Sequence, residues 1–195
     1  TTGSNVNSVS ISADGEYIAA GSEDHNVYLF AKDSSTPLWS YQTGGSFHWV
    51  NSVSISADGE YIAAGSNNDK GYNAGKVYLF DKDSSTPLWS YETGDEVDSV
   101  AISADGEYIA AGSWDNRVYL FGKDSSTPLW SYETGNQVIS VAISADGEYI
   151  AAGSYDYKVY LFDKAGGEDD ESIPTLSVIT TMAAVAVMAL RRRPE

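Results

Sequence analysis

Among the side chains able to do chemistry are two histidines, His25 and His48, and four copies of an Asp-Gly-Glu triplet. The two imidazoles could approach each other if the segments carrying them are neighbours in space. A zinc site needs at least a third ligand, and none stands out, so no metal site is expected. Asp14/Glu16, Asp58/Glu60, Asp105/Glu107 and Asp146/Glu148 have a spacing that could suggest paired carboxylates for acid–base work. An active site would not recur identically in every copy of a turn, so a structural role is expected instead. The run "NNDKGYN" loosely echoes an oxygen-rich calcium loop but lacks its ligand spacing and terminal Glu. Serine and aspartate are frequent in "SAD" and "KDSS", yet no histidine lies near them and no nucleophilic triad can be drawn. The chain has no cysteine, which excludes thiolate ligands, disulfides and cysteine nucleophiles. Neither catalytic residues nor a cofactor are expected, and the chain does not read as an enzyme.

The elements that carry these residues repeat. "SVSISADGEYIAAGS" spans Ser8–Ser22 and Ser52–Ser66, and with one Ser-to-Ala change it returns at Ser99–Ser113 and Ser140–Ser154. "VYLF" follows each copy, from Val27, Val77, Val118 and Val159, and "KDSSTPLWSY" follows three, from Lys32, Lys82 and Lys123. Each unit parses into four short strands. "SVSIS" alternates, and the "DG" after it is a two-residue hairpin signal. "EYIAAGS" and "VYLF" supply the second and third strands. "PLWSYET" supplies the fourth, with Pro37, Pro87 and Pro128 at its start, where a missing N–H is tolerated on a sheet edge. In "VYLF" both alternating sets are apolar, so the sheet must be covered on both sides. Four-stranded units packed between copies of themselves make a β-propeller. The expected fold class is therefore all-β, with units at about 4–44, 45–94, 95–135 and 136–164.

Within this pattern, "SVAISADGEYIAAGSWDNRVYLF" resembles a blade of the WD40 family. "KDSSTPLWSYETG" resembles the quinoprotein-type propeller repeat, which carries a Trp after an Asp-x-x-Thr turn. The resemblances cover about residues 1–164. The WD40 Trp-Asp pair is replaced by Phe30-Ala31, Phe80-Asp81, Phe121-Gly122 and Phe162-Asp163, and the Gly-His pair is absent. The turn aspartate survives as Asp24, Asp115 and Asp156. The opening "TTG" has the phase of a fourth-strand end, as in "ETGDEV" and "ETGNQV", and the last unit has no fourth strand of its own. That phase predicts a truncated N-terminus and a larger native ring. The alternatives are a complete four-blade protein or two chains assembled as an eight-blade ring, a homodimer.

Beyond Lys164 the repeat gives way to an acidic linker (165–172) and an uncharged run from Ile173 to Leu190, followed by Arg191, Arg192 and Arg193 in a basic tail (191–195). An 18-residue uncharged run is a transmembrane helix candidate, although short and Ala/Thr-rich. Arginines on its far side predict a cytoplasmic tail and an extracellular propeller. The order of motif, apolar run and arginines resembles the C-terminal sorting segments of prokaryotic, especially archaeal, surface proteins, in which the tail is exchanged for a lipid. A net charge of −17, from 11 basic and 28 acidic residues, argues against nucleic acid.

What differs between units points to function. The "SADG" spacings are 44, 47 and 41 residues, and the additional residues fall in "GGSFHW" and "NNDKGYNAGK". In a propeller both connections emerge on one face. Phe47, Trp49, Tyr72, Trp114, Tyr155 and Tyr157 lie in the connections of that face, together with His25, His48 and Arg117. Aromatics and arginine on loops above a rigid scaffold predict a surface that binds a protein or glycan ligand; local packing against neighbouring blades is the alternative. The expected role is a non-catalytic, membrane-anchored binding scaffold. The quinoprotein resemblance implies instead a dehydrogenase fragment, and a self-assembling surface structure is a third reading.

Overall fold

The computed structural model describes residues 2–45, 48–67 and 74–166. Four antiparallel meanders follow one another along the chain. Blade 1 is β1 (Val6–Ile11), β2 (Tyr17–Ser22), β3 (Asn26–Ala31) and β4 (Trp39–Gln42). Blade 2 is β5 (Val50–Ile55), β6 (Tyr61–Ser66), β7 (Lys76–Asp81) and β8 (Trp89–Glu92). Blade 3 is β9 (Val97–Ile102), β10 (Tyr108–Ser113), β11 (Arg117–Gly122) and β12 (Trp130–Glu133). Blade 4 is β13 (Val138–Ile143), β14 (Tyr149–Ser154) and β15 (Val159–Asp163), with three strands among the described residues.

The first strands form the inner wall: β1 packs on β5, β5 on β9 and β9 on β13. A bulge just after the first valine of each inner strand shifts the register, as between Val6 and Ser8. Without it, Val50 would point away from Val53 and Ile55; with it, all three enter one apolar cluster.

The core lies between blades rather than within them. Ala19, Val27 and Leu29 of blade 1 pack on Val50, Val53 and Phe80 of blade 2, and the same sets join blades 2 and 3 and blades 3 and 4. Each junction is locked at its rim by a fourth-strand indole: Trp39 donates to the Lys82 carbonyl, Trp89 to that of Lys123 and Trp130 to that of Lys164, at 2.7, 2.7 and 3.1 Å. The "LWSY" segments are thus the pegs between blades.

Two local expectations are corrected. The first hairpin has a four-residue loop, Ala13–Glu16, not a two-residue Asp-Gly turn. Ser12 N donates to Tyr17 O (3.0 Å) outside a tighter turn closed by Gly15 N on Ser12 O (2.9 Å). Gly15 there has a φ of +74°, which its missing Cβ allows. The fourth strands begin at Trp39, Trp89 and Trp130, two residues beyond their prolines, because Ser34, Ser84 and Ser125 first close a local turn on the amide of Thr36, Thr86 and Thr127. No helix among the described residues is long and apolar enough to cross a membrane. Ile173, Leu190 and Arg191–Arg193 lie outside the described residues.

Candidate functional site

The two ends of the arc are built differently. One end holds the hairpin between the first and second strands of all four blades and the turn between the third and fourth strands of blades 1, 2 and 3, and these satisfy themselves. Asp14 accepts from Ser12 Oγ (2.6 Å) and from Glu16 N (2.9 Å), an arrangement repeated in blades 2, 3 and 4. The serine hydroxyl, first among several donors, holds the Asp14, Asp105 and Asp146 carboxyls below the usual range. The partner glutamates are used as well: Glu16, Glu60, Glu107 and Glu148 pair with Lys32, Lys82, Lys123 and Lys164. A chain of amide bonds, Ala13 to Ala57, Ala57 to Ala104 and Ala104 to Ala145, links the blades at this end. The four carboxylate pairs are hairpin fasteners.

At the opposite end the turn between the second and third strands of blades 1, 3 and 4 meets the segment leading into its own blade through one aspartate. Asp115 accepts from Arg117 N (3.0 Å), from Gly94 N of the preceding strand end (2.8 Å) and from the Tyr119 hydroxyl. Asp24 does the same with Asn26, Gly3 and Tyr28, and Asp156 with Lys158, Gly135 and Tyr160. Gly3 therefore sits where the other strand-end glycines sit. Burial opposes the charged form of Asp24, but the Gly3 amide, the Tyr28 hydroxyl and Asn26 outweigh it and hold the carboxyl below its usual range. Burial, then the Asp24 bond, pushes the Tyr28 hydroxyl up to about 12. This Asp–Tyr clasp escaped the sequence reading. Its signal is the constant four-residue spacing of Asp24/Tyr28, Asp115/Tyr119 and Asp156/Tyr160. Blade 2, with its longer connection, shows no such aspartate among the described residues, and there Tyr78 donates to the Thr43 carbonyl of blade 1 (3.0 Å).

The candidate binding residues sit around these clasps. His25 lies in the left-handed region (φ +73°), with its Nδ1 buried and unpartnered. The Thr43 hydroxyl lies 3.1 Å from the His25 carbonyl and 2.9 Å from that of His48, so blades 1 and 2 bring the two histidine backbones together. The His48 ring is turned to Gly45 O, at 3.0 Å. Among the described residues no group of three His, Asp or Glu could hold a metal ion.

Trp114 is half-buried, and its indole donates to Asp98 Oδ2 at 2.8 Å. Arg117 is engaged by Glu133 (2.8 Å) and Ser131 (3.2 Å). It occupies the register that holds Asn26–Gln42 in blade 1 and Lys76–Glu92 in blade 2. Trp49, Tyr155 and Tyr157 have exposed side chains, Tyr157 completely so. Trp49 and Tyr155 are fixed through their backbones, the Trp49 carbonyl by Asn67 N (3.0 Å) and the Tyr155 amide by Gln137 O (2.9 Å). Phe47 and Tyr72 lie outside the described residues. This end thus presents large aromatics on hydrogen-bonded turns and holds its described cations Lys76, Arg117 and Lys158 in ion pairs.

A family model described as WD domain, G-beta repeat matches residues 1–30, 36–71, 85–121 and 126–163, more than half of the chain. A search of curated proteins finds no match.

Proposed function

Because the chain belongs to the WD40 family of β-propeller repeat proteins, we propose that it is a non-catalytic interaction scaffold whose partner binds at the clasp end. One observation carries this reading: Trp49, Tyr155 and Tyr157 are exposed on the turns of that end, whereas the turns of the other end are near-identical and closed on themselves. Tryptophan and tyrosine offer large, semi-rigid contact area at small entropic cost, which is why they dominate binding hot spots. The partner is a protein or a surface glycan, both of which aromatic platforms accept.

The propeller is held at the outer face of a membrane by its C-terminal segment. That part of the proposal rests on sequence, on the uncharged run Ile173–Leu190 followed by Arg191, Arg192 and Arg193. Protease treatment of intact cells should remove the propeller and leave the arginine tail protected; protection of the propeller overturns the orientation.

For binding, the immobilised chain is exposed to surface proteins and to a glycan array from its own cells. Replacing Trp49, Tyr155 and Tyr157 together by Ala should weaken capture at least tenfold. A control triple at the other end, Asp33→Ala, Asp83→Ala and Asp124→Ala, should leave it unchanged. Equal loss in both triples, or in neither, overturns the placement of the site.

A further inference from the structure

We infer that the partner of the clasp end is a protein, and that it seats a basic side chain on Asp98 and Trp114 of blade 3, beside the inner strand of blade 4. This rests on the binding face proposed above and names the chemistry which that face reads.

The second residue of each inner strand is Asn7, Asn51, Asp98 or Ile139. In blades 1 and 2 it is a bracket between blades: Asn7 Nδ2 donates to the Val50 carbonyl (3.3 Å) and Asn51 Nδ2 to that of Val97 (3.2 Å). A carboxylate has no proton to donate, so Asp98 cannot continue the series. Among the described residues the Val138 carbonyl therefore lacks the side-chain donor that Val50 and Val97 have. Asp98 turns to its own blade instead, where Oδ2 accepts from the Trp114 indole at 2.8 Å. Trp114 is pinned in turn by its amide on the Glu96 carbonyl (2.9 Å). Asp98 Oδ1 has no hydrogen bond among the described residues. Two acceptors, Asp98 Oδ1 and the Val138 carbonyl, are thus left over on β9 and β13, strands that pack on each other.

The chain does not answer the charge of Asp98 itself. Lys76, Arg117 and Lys158 are held by Glu92, Glu133 and Asp156. Asp98 is half-buried, so water screens it less than it would a surface carboxylate. The group that matches leftover acceptors and an unanswered negative charge is a cation with several N–H donors. An arginine fork can donate to a carboxylate and a carbonyl together, and the ring beside it offers a π face to the same cation. Blade 4 places Ile139 and Tyr155 at the registers that Asp98 and Trp114 hold in blade 3, which gives the hydrocarbon stem an apolar neighbour. A net charge of −17 draws a basic partner toward the chain before contact. A neutral glycan has hydroxyls for the acceptors but no charge to set against Asp98, so a protein is favoured.

The probe is the end-blocked peptide Gly-Arg-Gly-Arg-Gly, titrated into the full 195-residue chain while the indole N–H signals are followed by NMR. Trp114→Phe identifies the Trp114 signal. Saturable binding that moves this signal is expected, with none from Gly-Glu-Gly-Glu-Gly. Asp98→Asn installs the residue that blades 1 and 2 already hold at this register, so it should fold normally and bind the arginine peptide at least tenfold more weakly. Asp124→Asn removes the same charge at the other end and should bind as the parent chain does. No saturable binding up to about 10 mM peptide, equal weakening in both variants, or unchanged binding by Asp98→Asn would each overturn the inference. Failure here is distinct from failure of the binding face. Capture that is lost when Trp49, Tyr155 and Tyr157 are replaced, yet survives Asp98→Asn, would keep the face and overturn the basic anchor.

Discussion

Tyr157 and His25 occupy left-handed turn positions, with φ of 68° and 73°, where a side chain other than Gly, Asn or Asp is strained by about 1 kcal/mol. Blade 3 holds Asn116 at the same place, with φ of 69°. Tyr157→Asn is therefore expected to stabilise the fold by roughly 0.5–1 kcal/mol, read as a higher urea midpoint. The same change should weaken capture of the partner, because the ring it removes is fully exposed and contributes nothing to packing. A variant both more stable and less active would identify Tyr157 as kept for contact; one that binds normally would remove it from the site. Tyr78 is the opposite case, a buried hydroxyl on the Thr43 carbonyl whose pKa burial pushes up to about 12. Its folded-state value lies above the unfolded 10.0, so its contribution is fully present below pH 10 and fades as the pH rises through about 12. Two units correspond to roughly 3 kcal/mol at most. Tyr78→Phe should cost about 1 kcal/mol at neutral pH and flatten the stability curve between pH 10 and 12. A slope unchanged from the parent chain would place alkaline sensitivity elsewhere.

At the scale of the element, the blade is a sheet with two apolar faces that becomes stable only when stacked. The cost of obstructing a face should therefore depend on whether that face is covered. Gly112→Ala presses a Cβ against Val138 Cγ1 at 2.7 Å and Val141 Cγ1 at 3.0 Å, both on stiff β-branched side chains. It should destabilise by about 1–3 kcal/mol. Gly153→Ala is the same substitution at the same place in the repeat with open space in front of it, and should be neutral or slightly stabilising in the monomer. Urea midpoints of the two variants check this, and equal costs would mean that the strand backbone, not the junction, sets the requirement for glycine. This contrast also marks how far the sequence could be read. The strand order and blade phase were legible, because near-identical 15-residue blocks leave no freedom in where strands recur and "VYLF" has no polar face. Which copies lie against a neighbour was not legible, since Val9 and Val53 have the same sequence surroundings and opposite fates. The candidate loops were visible as departures from the repeat, but Arg117 could not be seen to be paired. Its partner Glu133 sits across a strand pair, and "ETG" is also present where no arginine stands opposite.

For the whole molecule, stacking makes the blades interdependent. Each of the three apolar clusters draws on two successive blades, so blades 2 and 3 take part in two clusters apiece. The seven ion pairs among the described residues each lie within one blade and do not hold the junctions together. Salt should therefore not weaken the fold; by screening the repulsion within a chain of net charge −17 it should raise the urea midpoint slightly. A lesion at the middle junction tests the coupling between blades. Gly65→Ala presses a Cβ against Val97 Cγ1 at 2.6 Å. If stacking is what stabilises a blade, amide exchange should speed up through both blade 2 and blade 3, not only in β6 and β9. Acceleration confined to those two strands would mean that each blade keeps its own stability and the junction only joins them.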